Sequence, residues 1–259
     1  MTKIIAFHSF RRGTGKSTLT ANLAALLAAQ GQRVGVVDAN LQAPSLHLLF
    51  NLPSQHPLHS LNDYLRGRCG IVRAARDITS HLNRRAAGAL YLVPAGIKAD
   101  DALPPGREFD AAALGAGFGA LAAELALDLL LVDAPAGLAR PTLLTLAAAD
   151  ILYLIVRPDR QDYRGTALAV DLARNLQPLA IRLIVNQTPP PFDVEALKLT
   201  MEQAFQVRVS AVIPHTPKIL ALAGRGIFAI RHPHHPTTLH LRRLASELAQ
   251  AGNSSTGTE

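Results

Sequence analysis

The chain has 259 residues, of which 49% are hydrophobic and 17% are charged. This composition indicates a folded protein rather than a disordered one, and the length is sufficient for one large α/β domain. Its single cysteine, Cys69, excludes an internal disulfide and predicts a reducing, cytoplasmic location. The net charge of +7 allows a polyanionic partner such as DNA, but only five of the 26 basic residues are lysines, so an arginine-biased genome explains the same excess. The N-terminal residues lack a separate apolar segment and a cleavage site, and no clean apolar span follows. We therefore expect neither a signal peptide nor a transmembrane helix.

Short β-branched runs alternate with Ala/Leu-rich stretches along the whole chain. The strand candidates are residues 3–8, 33–38, 90–93, 128–133, 151–156, 181–186 and 207–213. Apolar residues spaced by three and four predict helices between them, most clearly over residues 17–30 and 110–127. Apolar strands separated by helices indicate a parallel sheet that is buried on both faces. We predict a single α/β domain over residues 1–251, with a mostly parallel, twisted sheet of about seven to eight strands covered by helices on both faces, and a disordered tail over residues 252–259.

Residues 9–18 read SFRRGTGKST and connect the first predicted strand to a helix that begins at Lys16. A phosphate-binding loop requires this strand–loop–helix context. Its glycines let backbone N–H groups turn inward, the helix N-terminus adds partial positive charge, and Lys16 adds a full one. The hydroxyl of Ser17 suits Mg²⁺. An ordinary glycine-containing turn is the alternative, which the complete GTGKS pattern disfavours. The predicted nucleotide-binding residues of the loop are Gly13, Thr14, Gly15, Lys16, Ser17 and Thr18.

The loop resembles the deviant Walker A motif, KGGxGK[ST], of the MinD-like branch of the ParA/MinD family of P-loop ATPases. In that family an additional lysine reaches across an ATP-sandwiched dimer to the phosphates of the partner. Arg11 stands at the position of this lysine here, and Arg12 replaces the glycine that follows it. The resemblance implies a homodimer in the ATP state, with Arg11 and Lys16 in catalytic roles and Arg12 at the nucleotide.

Two further strand ends resemble the same family. VVDANLQAPS (residues 36–45) is similar to switch I, which commonly reads DxD, and here supplies Asp38 and Asn40 as catalytic candidates. LLLVDAPAGL (residues 129–138) is similar to the Walker B and switch II pattern. The resemblance implies that Asp133 holds Mg²⁺ through water, with Ser17 and Asp38 as further metal ligands. It also implies that the γ-phosphate side of the site is lined by Pro135, Ala136 and Gly137.

LIVNQ (residues 183–187) and AVIPH (residues 211–215) stand where the family has its adenine-contacting loops. By this resemblance Asn186 and Pro214 frame the base. The guanine-reading sequence NKxD is absent from that strand end, which favours ATP over GTP. Taken singly, Asx residues are also typical of turns and strand ends. Their occurrence together at three carboxyl strand ends, where an open α/β sheet binds its ligand, favours a site.

Two departures from the family pattern concern catalysis. A guanidinium binds two phosphate oxygens at once, so Arg11 acts either as an arginine finger in the partner's site or as a bridge that does not reach the transition state. Arginines facing each other across a dimer repel unless triphosphates lie between them, which predicts that ATP controls dimerisation. Asn40 cannot take up a proton, so we predict slow hydrolysis and a long-lived ATP state, with Asp38 as the remaining carboxylate.

Two groups of arginines are candidates for the non-specific DNA binding that ParA-like proteins show. They are Arg66, Arg68, Arg73, Arg76, Arg84 and Arg85 in the first group, and Arg225, Arg231, Arg242 and Arg243 in the second. An ordinary solvated surface is the alternative and is slightly favoured.

Two C-terminal features have structural explanations. The run RHPHHP (residues 231–236) lacks the i, i+4 spacing of zinc ligands, so we expect a surface loop rather than a metal site. The predicted last helix, residues 237–250, has one apolar face with two arginines and no large aromatic residue. We expect this face, formed by Leu241, Leu244, Ala245 and Leu248, to dock onto the sheet rather than bind a membrane peripherally.

The leading interpretation is an ATP-dependent, dimerising switch ATPase that uses ATP and Mg²⁺ to position, partition or assemble a cargo, with a cargo or activator protein as partner. The alternative is a nucleotide-locked binding or scaffold protein with little turnover, which Asn40 and Arg12 favour. A third interpretation is a tyrosine-kinase-like protein, because DANLQAPSLHLLF also resembles switch I of bacterial kinases with this fold. Those kinases usually carry a tyrosine-rich tail, whereas this tail reads NSSTGTE and the tyrosines are Tyr64, Tyr91, Tyr153 and Tyr163.

Overall fold

The computed structural model of the chain describes residues 1–52, 59–82, 87–97 and 111–253. Strands within these residues form one eight-stranded sheet. They are β1 (Lys3–His8), β2 (Arg33–Asp38), β3 (Arg76–Asp77), β4 (Ala89–Val93), β5 (Leu129–Asp133), β6 (Ile151–Val156), β7 (Ala180–Thr188) and β8 (Val209–Pro214). Their order is β3-β4-β2-β5-β1-β6-β7-β8. All neighbouring strands run parallel except β3 and β4.

Helices connect most of these strands. They are α1 (Lys16–Ala29), α2 (Leu46–Leu49), α3 (Leu61–Leu65), α4 (Ile71–Ala74), α5 (Ala111–Glu124), α6 (Arg140–Ala147), α7 (Arg160–Asn175), α8 (Val194–Phe205), α9 (Pro217–Ala221), α10 (Phe228–Arg231) and α11 (Pro236–Asn253), with a 3₁₀ turn at Thr79–His81. Within the described ranges, no helix combines the length and the apolar character needed to cross a membrane.

The sheet is buried on both faces because its strands are apolar at consecutive positions. In β1, Ile5 and Phe7 lie in the core that includes α1 and α11, whereas Ala6 lies in the opposite core with α5. Helices α7 and α8 cover β6, β7 and β8 with a third apolar cluster. Each fully buried Leu or Ile side chain stabilises the fold by roughly 1.5–3 kcal/mol. The predicted parallel sheet with helices on both faces is confirmed.

Helix α1 is enclosed on almost every side. Of its 14 residues, 11 are buried, because it lies between the sheet and α11. Alanine and leucine favour the helix intrinsically, and the small alanines allow α11 to approach closely. The apolar face of α11, including Leu241, Leu244 and Leu248, is buried in this contact. Helix α11 also packs on β8, so the predicted docking onto the sheet is confirmed, with α1 as a further partner that was not predicted.

The boundaries differ from the predictions in detail. All seven predicted strands are present, with ends that differ by up to two residues. Strand β3 was not predicted, because two residues of an antiparallel edge strand carry no readable periodicity. Helix α11 continues to Asn253, two residues beyond the predicted domain end, and residues 254–259 of the predicted tail lie outside the described residues.

The carboxyl ends of the parallel strands meet at one edge of the sheet. The register pairs Phe7 and Asp38 with Asp133, and Thr188 with Pro214. Helix α1 begins at the same edge, immediately after the loop of residues 9–15. An open α/β sheet binds ligands at this edge, and the predicted site residues are gathered here.

Candidate nucleotide-binding site

The loop between β1 and α1 turns sharply through two glycines. Gly13 and Gly15 have φ angles of 81° and 87°, in the left-handed region that favours glycine. A Cβ atom on Gly15 would also lie 2.5 Å from the Nδ2 atom of Asn186, so glycine is required there for space as well. Gly15 caps α1, whose first N–H groups carry partial positive charge. The loop and this helix start form a cradle for an anion.

Three polar side chains meet beneath the loop. Lys16 Nζ donates to Asp133 Oδ1 at 2.5 Å, and Ser17 Oγ donates to Asp133 Oδ2 at 2.6 Å. Lys16 and Asp133 are both buried, so their charges are paired at short range in a dry environment. A hydroxyl beside a carboxylate is an oxygen donor set that suits Mg²⁺. The residues present therefore fit both a phosphate and a magnesium ion.

Asp38 holds the loop that follows β2. Its fully buried carboxylate accepts hydrogen bonds from the backbone N–H groups of Asn40 at 3.2 Å, Ser45 at 3.0 Å and Leu46 at 3.1 Å. Burial, together with the nearby charge of Asp133, raises the pKa of Asp38 to about 7. The side-chain amide of Asn40 donates to the carbonyl oxygen of Ala43 at 2.8 Å.

A cavity of about 230 Å³ opens above these groups. The predicted residues that line it are Arg11, Arg12, Gly13, Thr14, Gly15, Lys16, Ser17, Thr18, Asn40 and Ala136. Of the predicted γ-phosphate side, Ala136 contributes to this lining, Gly137 N donates to Ser9 O at 3.1 Å, and Pro135 O contacts His8. The phosphate loop, switch I and switch II therefore surround a single cavity.

His8 lies beneath switch II and was not among the predicted site residues. Its Nδ1 atom is 3.0 Å from the carbonyl oxygen of Pro135, which only accepts, so Nδ1 carries the proton. Burial lowers the pKa of His8 to about 4, and the nearby charge of Lys16 adds to that effect. The ring is neutral at pH 7 and ties β1 to switch II. Sequence analysis could have found His8 as a histidine at the end of an apolar strand, directly before a phosphate loop.

A second cavity, of about 360 Å³, lies on the other side of the loop. Asn186 and Pro214, which the resemblance places at the base, line this cavity. Apolar side chains of α1, α9 and α11 line it as well, among them Leu19, Ile219 and Leu241. Asn186 Nδ2 donates to Thr14 O at 2.7 Å. Gln187, which was not predicted, donates from Nε2 to Gly13 O at 2.9 Å. The cavity shares Gly13, Gly15 and Thr18 with the smaller one, so a base and a polyphosphate could lie end to end.

Phe10 and Arg11 are held by helix α7 of the same chain. A Cβ atom on Gly165 would lie 1.9 Å from the Phe10 ring, so this glycine makes room for the ring. Arg11 Nη1 lies 3.5 Å from Asp159 Oδ1, and Arg11 Nε lies 3.6 Å from Asp162 Oδ1. The pKa of Asp159 is lowered mainly by its hydrogen bond from the Asp162 backbone N–H, with smaller contributions from nearby arginines. The guanidinium predicted to reach a partner subunit therefore contacts its own helix α7.

Arg12 is the more exposed of the two loop arginines. Its Nη2 atom donates to Gln42 Oε1 at 3.3 Å, which places the guanidinium beside the switch I loop. An exposed charge in a neutral hydrogen bond remains able to bind an anion.

The predicted DNA-binding arginines are spread over two surfaces. In the first group Arg68 and Arg73 are exposed, Arg66 and Arg76 are half-buried, and Arg84 and Arg85 lie outside the described residues. The second group is exposed around α10 and α11, and comprises Arg225, Arg231, Arg242 and Arg243.

The histidine run forms the turn between α10 and α11. The rings of His232 and His235 pack on Phe228, with centroids 4.9 and 5.1 Å away. Among the described residues, no group of three or more His, Cys, Asp or Glu side chains is placed to hold a metal ion. These contacts hold the histidine run against α10.

Comparison with known proteins agrees with this geometry. An uncharacterised ATP-binding protein of Methanocaldococcus jannaschii is 29% identical over 251 residues, 95% of this chain and 88% of the relative. The septum site-determining protein MinD of Thermotoga maritima is 24% identical over 235 residues, 88% of this chain and 80% of the relative. MinD of Pyrococcus horikoshii, solved in complex with Mg-ADP, has the same fold, with a TM-score of 0.78 and 23% identity over 99% of this chain and all of that one. The sequence pattern of the CobQ/CobB/MinD/ParA nucleotide binding domain matches residues 5–229, and the chain therefore belongs to this family.

Proposed function

We propose that the chain is an ATP-binding, ATP-dependent dimerising switch ATPase with slow hydrolysis, which positions, partitions or assembles a cargo in the cytoplasm. The observation that carries the proposal is the cluster of Lys16, Ser17 and Asp133 beneath a loop with two left-handed glycines. Relatives named as an ATP-binding protein and as MinD, and a fold neighbour solved with Mg-ADP, support the nucleotide and its metal.

The two cavities divide the nucleotide between them in this proposal. Loop N–H groups and Lys16 bind the phosphates in the smaller cavity. Mg²⁺, held by Ser17 and Asp133 with Asp38 nearby, would neutralise phosphate charge and polarise the γ-phosphate. Because Asn186 Nδ2 already donates to Thr14 O, its side-chain oxygen is left to accept. An acceptor at this position suits the amino group of adenine.

The groups around the smaller cavity support the proposal of slow hydrolysis. None of the described residues that line it is Asp or Glu. The carboxylate of Asp38 is occupied by three backbone N–H groups, and the amide of Asn40 cannot take a proton. Water near the γ-phosphate would find no free general base, so the ATP state would be long-lived.

Dimerisation would use the arginines at the mouth of this cavity. Arg11 lies 3.5–3.6 Å from two carboxylates, longer than a strong charged hydrogen bond. A triphosphate offers more negative charge and bidentate geometry, so it would draw arginines of two subunits together instead of letting them repel.

Solution mass tests the switch directly. Light scattering in Mg-ATP and in Mg-ADP, with identification of the nucleotide in each peak, should give a dimer that retains ATP and a monomer in ADP. Equal mass in both nucleotides would contradict the switch. Turnover then separates the remaining possibilities, since a chain that binds ATP and hydrolyses none, with or without cell extract, would be the nucleotide-locked binding protein that Asn40 favours.

A further inference from the structure

Gln187 has an unusual backbone conformation beside the candidate site. Its φ angle is 57°, in the left-handed region that non-glycine residues rarely occupy. The β7–β8 register also shifts between Val185 and Thr188, on either side of it. Bulges of this kind redirect side chains, and strained backbone at ligand sites is usually retained for function. The bulge turns Gln187 away from the ladder and toward the phosphate loop.

Two consecutive side chains of β7 bind two consecutive carbonyls of the loop. Gln187 Nε2 donates to Gly13 O at 2.9 Å, and Asn186 Nδ2 donates to Thr14 O at 2.7 Å. Both amides also lie close to Gly15, where an added Cβ would be 2.5 Å from Asn186 Nδ2 and 3.4 Å from Gln187 Nε2. The side chains therefore hold the loop from the side of the larger cavity.

The geometry of a trans peptide determines where the N–H groups of the loop point when these carbonyls are held. A carbonyl and the N–H of the next residue belong to one planar unit and point in opposite directions. With the Gly13 carbonyl held toward β7, the N–H of Thr14 must point to the other side. The Asn186 contact acts in the same way on the N–H of Gly15. Asn186 and Gln187 line the larger cavity and not the smaller one, whereas Thr14 lines the smaller one and not the larger. An N–H that points away from these two side chains therefore faces the smaller cavity, where the phosphates are proposed to bind.

We infer that Gln187 is a positioning residue that fixes the Gly13–Thr14 peptide with its N–H toward the phosphates. The inference rests on the proposed function and deepens it, because it assigns the phosphate affinity of the loop partly to a side chain outside the Walker motif. Gln187 also lines the larger cavity, but its proposed role is to hold the loop peptide and not to bind the ligand. We expect Gln187 to change the affinity for the polyphosphate much more than the affinity for the base.

The test uses Gln187→Met, which keeps the length of the side chain and removes the donor. Gln206 supplies a matched control, since it also has a positive φ of 52° and donates to a backbone carbonyl, Gln203 O, at 2.8 Å, away from both cavities. Calorimetric titration of wild type, Gln187→Met and Gln206→Met with Mg-ATP, tripolyphosphate and adenosine gives the affinities. Gln187→Met should weaken Mg-ATP and tripolyphosphate by about threefold to tenfold, and should weaken adenosine by a clearly smaller factor. Gln206→Met should change none of these affinities.

The other outcomes overturn the inference in separable ways. Equal weakening of ATP and adenosine, with tripolyphosphate unaffected, would show that Gln187 acts through the base. Wild type that binds ATP but no tripolyphosphate would lack the preformed cradle. Wild type that binds neither would overturn the proposed function together with the inference, whereas unchanged affinities in Gln187→Met would overturn the inference alone.

Discussion

In the proposed dimer, Arg11 would exchange its contacts with carboxylates of its own chain for contacts with a triphosphate bound to the second subunit. Its contacts to Asp159 and Asp162 are long, and its side chain is 38% exposed. Ion pairs of this kind contribute about 0–1 kcal/mol. Such a contact orients the guanidinium in a monomer without preventing its release to a triphosphate. The departure from lysine is therefore compatible with a switch, and Arg11 can be tested apart from ATP binding.

Arg11→Ala should abolish the ATP-dependent dimer and leave the affinity of the monomer for ATP within about threefold of wild type, because the cradle itself is intact. Sedimentation in Mg-ATP and fluorescence titration with a labelled nucleotide measure the two effects. Arg208→Ala removes an exposed arginine remote from both cavities and serves as the control. Normal dimerisation of Arg11→Ala would remove Arg11 from the switch.

Asn40→Asp should raise ATP turnover by about tenfold or more, because a carboxylate can accept a proton from the attacking water. Steady-state phosphate release measures the rate, and Asn40→Ala is the control that removes the amide without adding an acid. Equal rates in all three proteins would show that this position does not limit hydrolysis.

His8 makes stability depend on pH in a defined direction. Its pKa is lowered from 6.5 to about 4 in the folded chain, so the unfolded chain binds the proton more readily. The stabilisation is complete above pH 6.5 and is lost as pH falls toward 4, by up to about 3 kcal/mol. Urea unfolding of wild type between pH 7 and pH 4 should show this loss.

His8→Asn keeps a donor for Pro135 O and removes the titration. The difference in unfolding free energy between wild type and His8→Asn should therefore shrink as pH falls through this window. Asp38, whose raised pKa of about 7 gives the opposite slope, is present in both proteins and cancels in the difference. A difference that does not depend on pH would contradict the assignment.

At the scale of elements, the phosphate loop is fixed against α7 as well as β7. The Phe10 ring occupies the space that a side chain on Gly165 would need. Arg11 contacts the first turn of the same helix. The loop and α7 are therefore one packed unit, joined by the Phe10 ring and by Arg11.

Gly165→Ala should destabilise the fold by about 1–3 kcal/mol, because the new methyl group displaces the Phe10 ring. Gly119→Ala on α5 is the matched control, since nothing lies within 4 Å of its Cβ position and alanine favours a helix by about 0.5–1 kcal/mol. Chemical unfolding measures both variants, and Phe10→Ala in the Gly165→Ala background should recover part of the loss. Stabilisation by Gly165→Ala would contradict the packing.

Some residues of the site could be predicted from the sequence and others could not, for a physical reason. The glycines, Lys16 and the strand-end acids belong to local patterns, so the sheet, its edge and the loop could be predicted. The partners of the loop are distant in sequence: Asp159 is 148 residues from Arg11, and Gln187 is 174 residues from Gly13. No local periodicity records such contacts. The edge strand β3, with two residues, was too short to predict.

At the scale of the molecule, one basic surface lies next to the helix that carries the phosphate loop. Arg242 and Arg243 are exposed on α11, and the buried face of α11 packs on α1. We propose this surface as the stronger candidate for DNA. The first arginine group contains an ion pair, Arg68 with Asp63 at 3.3 Å, which reduces its free charge.

Arg242→Glu with Arg243→Glu should weaken binding to non-specific duplex DNA by about tenfold or more and reduce the slope of log affinity against log salt by about two. Arg68→Glu with Arg73→Glu is the control pair from the first group. Fluorescence anisotropy at several salt concentrations measures both. If neither pair changes binding, these arginines are not the DNA contact, and if wild type binds no duplex DNA, DNA is not the surface on which this protein works.

The near-complete enclosure of α1 has a consequence for the lifetime of the protein. A helix that is buried on almost every side is expected to open when the whole domain unfolds, so the phosphate loop is attached to a well-protected element. A ligand on that loop stabilises the entire domain, by about 2.7 kcal/mol at 100 times its dissociation constant. Proteases that act on the unfolded chain would then degrade it faster when nucleotide is scarce, so cellular energy supply would set the abundance of the protein as well as its activity.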